Sequence, residues 1–317
     1  MDRLLAQAVY VRDHSFLRVL LYIRVFTATL GVLGFVIVYR LLRVAVHRNL
    51  AIALSVHCVW TTWMNFVILV DTVIQFHRFS IANYPQELFT PGIECYLRMI
   101  PFSMGVYGEI RVLMSDQGHR FFATLLYRNY DKCPLFVSSG MNLISMIVPI
   151  SMVLGMSIGY GIDEQFAYCT VSTPGNADAA KGVVFSFLIY EIIALILHFG
   201  NKRLLKRVWG GSLTERYQVC ENLRLLSTLT PIVVCHLSIT VSIATGYTIY
   251  VICKPDAADR DYPILEEVAN FVHIHGIVMP ALLFVKHRRK MTRDREMLDS
   301  NTHLDRDAYL SFIEKGW

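Results

Sequence analysis

Between Leu225 and Cys253 the chain has no Asp, Glu, Lys or Arg, and the same holds from Cys133 to Ile162. A helix needs about 20 mostly apolar residues to cross a hydrocarbon core of roughly 30 Å, so these stretches read as membrane spans. Residues 49–70 and 268–285 are also uncharged, 19–39 carry only Arg24, and 182–201 carry only Glu191. A seventh stretch, 95–119, holds Arg98, Glu109, Arg111 and Asp116 among apolar residues. Ionisable groups are expensive in lipid and face a bundle interior when present, so this stretch too counts as a span. With 54% hydrophobic and 17% charged residues in 317, against about 25% charged in soluble proteins, a single soluble globule is excluded. The expected fold class is an all-α membrane protein, a seven-transmembrane helix bundle. Its expected parts are an extracellular N-terminus (1–18), the bundle (19–285) and a cytoplasmic tail (286–317).

Asp2, Arg3, Arg12, Asp13 and Arg18 interrupt the first eighteen residues, which therefore lack the apolar run of a cleavable signal peptide. The first span is expected to act as a signal anchor. Orientation follows Lys and Arg in the loops. Alternate connections on one side carry 20 basic residues, among them Arg40, Arg120, Lys206, Arg207 and Arg216; the other side carries 7. This asymmetry predicts an outside N-terminus and a cytoplasmic C-terminus. The net charge of +5 is thus a topology signal, with a lipid bilayer and no nucleic acid as partner. On that topology Cys95 and Cys169 lie on the oxidising side, where a bridge would tie the loop after the fourth span over the bundle. Cys253 is the competing outer thiol.

At about 100° per residue, Cys95, Arg98, Glu109, Asp116 and Arg120 fall on one side of the third span, while Arg111 points the other way. Such a seam is expected to face other helices and any polar cavity, with Arg111 paired to Glu191 on the fifth span or buried among neighbours.

Family-level likeness enters with particular strings. Arg120 follows Cys95 by 25 residues, the separation between the outer cysteine and the inner-end arginine of the third helix in rhodopsin-like receptors. The run HRFFATLLYRNYDK, His119 to Lys132, resembles the second inner loop of nematode chemosensory serpentine receptors. LTERYQVCENLRLLSTLTPI, Leu213 to Ile232, resembles the LSxRYQxxEN signature of their alpha and alpha-beta classes. The resemblance implies a rhodopsin-like G-protein-coupled receptor architecture, an extracellular small-molecule or peptide ligand and a heterotrimeric G protein inside. It also implies a plasma-membrane location, sensory cilia as one site, and association into homo- or hetero-oligomers. The coupling residues would be Arg120, His119, Lys206, Arg207 and Arg216. His119 stands where the family usually has an acid, so the acid-to-arginine restraint is missing from that position. The seventh span has Pro280 without the Asn-Pro-x-x-Tyr of rhodopsin-like receptors.

For the ligand, pockets in helix bundles combine aromatic and polar groups from several helices. Asp71, Arg98, Phe102, Glu191, Tyr250 and Glu267 stand at suitable depths, Asp71 and Arg98 either pairing or meeting a charged ligand. No cofactor and no metal are expected, because His273 and His275 point to different sides and His198 and His236 lie on separate helices without ligand-spaced acids or cysteines beside them. Enzyme chemistry finds only GMSIG, Gly155 to Gly159, which fits a nucleophile-elbow pattern by letter but falls in a span, so Ser157 reads as helix packing. Two rival functions remain: a seven-helix ligand-gated channel subunit with inverted topology, and a non-signalling partner of other receptors.

Overall fold

The computed structural model describes residues 2–45, 48–125, 135–207, 213–253, 262–269 and 273–285, with short pieces at 288–289 and 292. Helices dominate: α1 (Asp2–Asp13), α2 (Ser15–Ala45), α3 (Arg48–Ile81), α4 (Gly92–Leu125), α5 (Leu135–Ser157), α6 (Ala177–Arg207), α7 (Leu213–Cys253) and α8 (Tyr262–Ala269). Residues 273–285 are helical as well. The tail from 293 onward lies outside the described residues, as does the expected tail helix.

Among the described residues, five stretches are long and apolar enough to cross a membrane: Ser15–Val38, Ser55–Ile81, Ala177–Arg207, Leu229–Gly246 and Glu266–Val285. The charges of α4 keep it from that set, and in α5 only Ile147–Ser157 registers as an apolar helix. What α4 lacks in apolarity it recovers in position. It packs against α3, α5, α6 and α7, while α2 packs on α3 and both α2 and α7 pack on α8. Surrounded by helices, α4 can bury ionisable groups that a lipid-facing helix could not. The outer faces tell the complementary story. Tyr22, Phe26 and Leu33 of α2, Leu143 and Leu154 of α5, and Ile189 and Ile196 of α6 are exposed. So much exposed apolar surface suits lipid contact rather than water.

Several apolar clusters fill the bundle. Met64, Ile68, Phe102, Val106 and Met156 join α3, α4 and α5, while Phe35, Ile232 and Met279 join α2, α7 and the 273–285 stretch. Close approach of α3 to α4 depends on Gly105, where an added Cβ would lie 2.9 Å from the Cα of Met64. Because backbone stands in the way, Gly105→Val should destabilise the protein by about 1–3 kcal/mol, read as a lower thermal midpoint in detergent.

One local feature is added by the structure and another differs from the sequence expectation. The first eighteen residues hold a helix: Ala8 packs with Leu88 and Ala167, and Val11 with Leu17, Leu21 and Tyr168. At its end Arg12 pairs with the exposed Asp13 at 2.9 Å. At the other feature, α5 stops at Ser157 instead of continuing to 162. Gly159 has φ +79°, and a Cβ there would meet the carbonyl of Gly175 at 2.3 Å. A left-handed glycine just past the last turn ends the helix, so GMSIG straddles a helix end. Ser157 hydrogen-bonds the Tyr96 hydroxyl and the Val153 carbonyl, as a packing serine does.

Candidate functional site

At one end of the bundle the segment between α5 and α6 is fastened twice. Strand β1 (Thr90–Pro91) pairs antiparallel with β2 (Gln165–Phe166), Thr90 opposite Phe166. Three residues on, Cys169 is disulfide-bonded to Cys95 near the start of α4, with Cα atoms 5.1 Å apart, inside the normal range. The side chain of the competing Cys253 lies outside those described.

Beneath this strap lies a buried ion network. Asp71 of α3 accepts from Arg98 Nη2 at 2.7 Å and Nε at 3.1 Å, and from Gln75 Nε2 at 2.9 Å. Arg24 of α2 stands 3.8 Å from the other oxygen of Asp71 and forms a closer pair with Glu267 of α8. The Tyr168 hydroxyl donates to Glu267 at 2.6 Å, and the Val171 amide donates to Glu266 at 3.0 Å. Burial, then the carboxylate of Glu267, pushes the Tyr168 phenol well above its ordinary pKa, which keeps it a donor. Phe102 lies under Arg24, ring centroid to guanidinium 5.8 Å. Two guanidinium groups, two carboxylates and an aromatic face thus link α2, α3, α4, α8 and the strap. Each charge has a partner, as burial requires.

Four of the residues expected at the ligand site, Asp71, Arg98, Phe102 and Glu267, meet here, and Asp71 and Arg98 pair. Glu191 does not join them. It lies deeper, with His236 Nδ1 at 2.5 Å and Thr240 Oγ1 donating at 3.5 Å. The His236–Glu191 approach is at ion-pair distance without hydrogen-bond alignment, since His236 Nδ1 makes no hydrogen bond. Arg111 does not reach Glu191 either; its guanidinium stacks over Tyr190 at 5.3 Å. The side chains of Tyr250, Asp116, His119 and Arg216 lie outside those described.

Along α4, Cys95, Glu109 and Arg120 are buried, and Arg98 is nearly so. Glu109, 0% exposed, receives a hydrogen bond from Thr61 Oγ1 at 2.9 Å and contacts His275 Nδ1. Toward the opposite end His198 of α6 bridges Gln117 (2.9 Å) and Thr230 (3.0 Å), tying α4, α6 and α7 together. Arg120 lies beyond it, and Lys206 and Arg207 are exposed at the end of α6.

Arg24, Tyr168, His57, His236 and His275 were missing from the expected site. Arg24 had a legible signal as the lone charge of its span. The histidines had none, because their partners come from other helices.

Comparison with known proteins agrees with this arrangement of a strapped helical bundle. Residues 6–317 match the family of serpentine type 7TM GPCR receptor class ab chemoreceptors. This chain belongs to that family. It is also similar to serpentine receptor class alpha/beta-14 of Caenorhabditis elegans, 23% identical over an alignment covering 92% of this chain and 79% of that protein. Serpentine receptors of this family are membrane proteins of the chemoreceptor type, and the class ab chain is one of them. Its family is one of receptors and not of enzymes.

Proposed function

We propose that this class ab chemoreceptor binds an extracellular small molecule or peptide at the strapped end of the bundle and activates a heterotrimeric G protein at the other. The observation that carries the reading is the Arg24–Asp71–Arg98–Glu267 network. It joins three helices to α8 beneath a loop fastened by a disulfide and a strand pair. A charged or polar ligand that exchanges one of these pairs for its own contacts favours one arrangement of the helices over another, which is the thermodynamic requirement for a switch. Asp71, Arg98, Phe102 and Glu267 are the contacts we assign to the ligand, with Glu191 and Tyr250 below them. Arg120, His119, Lys206, Arg207 and Arg216 are assigned to the G-protein face, and the N-terminus to the outside of the plasma membrane, sensory cilia included. Association with a second receptor is compatible with this assignment.

Epitope tags before Met1 and after Trp317, probed in intact and permeabilised cells, test the orientation. The first should stain intact cells and the second only permeabilised ones. With orientation established, Arg120→Ala should abolish nucleotide exchange on a co-expressed G protein while surface staining stays unchanged. An inside N-terminus with ligand-gated conductance would replace the reading with the channel; surface delivery that needs a second receptor, without exchange, would replace it with the assembly partner.

A further inference from the structure

Deeper than the ion network, where α3, α4 and the 273–285 stretch meet, His57, Glu109 and His275 converge, each no more than 1% exposed. Each offers one ligand atom, and the three atoms lie within 4.8 Å of one another. Behind them the His236 ring crosses His275 edge to face, centroids 4.5 Å apart, and His236 in turn meets Glu191. A cavity of about 40 Å³, lined mostly by apolar side chains of α4, α6 and α7, borders His236 and His275.

We infer that His57, Glu109 and His275 form an intramembrane site for a divalent transition-metal ion, zinc by donor set. Two imidazoles and one carboxylate with an open fourth position are a known zinc donor set, the fourth position being left to a water carried in with the ion. Zinc bonds of about 2.0–2.2 Å place tetrahedral ligand atoms about 3.4 Å apart. The site therefore closes with side-chain shifts of about an ångström, in which His275 and Glu109 exchange their mutual hydrogen bond for bonds to the ion.

Charge and hydrogen bonding both favour a cation. With neutral imidazoles, Glu109 and Glu191 carry two negative charges, and among the described residues no Lys or Arg pairs with either. One divalent ion or two protons would balance them. Protons leave a deficit: Glu109 Oε2, Glu191 Oε2 and His275 Nε2 are buried without hydrogen-bond partners, and protonating His275 only adds a donor with nothing to accept it. A metal ion uses the lone pairs directly. Thr61, donating to Glu109, is placed to orient the ligand carboxylate from the second shell of contacts.

The test uses the full-length receptor in lipid nanodiscs, stripped with chelator and titrated with zinc chloride. Metal content and thermal midpoint are the readouts. One zinc per receptor and a raised midpoint are expected, with affinity falling by at least about 10–100-fold in Glu109→Gln and in His275→Gln. Should either variant fail to assemble, His57→Gln, which removes the third ligand atom, carries the same expectation. Substoichiometric zinc in the wild type, or unchanged binding in every variant that folds, overturns the site. Neither readout involves an extracellular ligand or a G protein, so this site and the receptor reading fail separately.

Discussion

Arg24→Ala should be the most damaging single change at the strapped end of the bundle, costing about 3–5 kcal/mol because it leaves buried acids without their cation. Arg24 is 5% exposed, Glu267 7% and Asp71 4%, so water cannot replace the lost guanidinium. Asp71 keeps Arg98, whereas Glu267 keeps only the Tyr168 hydroxyl. The damage therefore concentrates on α8 and its contact with the strap. Thermal unfolding of the solubilised receptor and the fraction reaching the cell surface would both fall. Arg24→Lys should recover part of the loss, since a single ammonium reaches one carboxylate but cannot fork toward Glu267 and Asp71 together. Adding Glu267→Gln to Arg24→Ala should recover part as well by removing the stranded charge. An unchanged midpoint in Arg24→Ala would mean that water enters the network and that its charges are not sealed under the loop.

This network also marks the boundary of what a one-dimensional reading can reach. Helix existence was legible because lipid imposes a length on every span, and the burial of Glu109 and Arg120 on α4 because it imposes a side on every charge. Asp71 and Arg98 were legible as candidate partners because opposite charges stood at similar depth on neighbouring spans, and the structure pairs them. Arg24 and Glu267 come from opposite ends of the chain, 243 residues apart, and nothing in either local sequence names the other. The same holds for Glu109 with His275 and Glu191 with His236: ligand spacing within one helix was the wrong test for groups delivered by separate helices. Arg111 shows the opposite failure. Of its two readings, pairing with Glu191 fails and placement among neighbouring helices holds: an aromatic face on α6 takes the cation, an interaction that leaves no opposite charge in the sequence. The early end of α5 was hidden for a different reason. Hydropathy runs on past Ser157, and only the backbone demand at Gly159 stops the helix.

The strap makes the second large prediction. Cys95→Ser and Cys169→Ser should each cost about 2–4 kcal/mol, since the bridge closes a loop of 74 residues. The double substitution should cost about the same as either single one, because both singles remove the same bond. The consequence should extend beyond stability. Tyr168 and Val171 flank Cys169 and hold Glu267 and Glu266 respectively, and Arg98 Nη1 lies 3.7 Å from the Cys169 sulfur. Freeing the loop therefore loosens both acids of α8 at once and weakens any ligand that depends on them. The strand pair Thr90–Phe166 remains as a second fastening, so the loop should stay near the bundle with a broader range of positions rather than detach. Hydrogen exchange across residues 165–173, compared with and without reductant, separates these outcomes. Faster exchange around Tyr168 and Val171, with the span helices still protected, is the expected pattern. Exchange spreading into α3 and α4 would instead make the disulfide a requirement for the bundle itself.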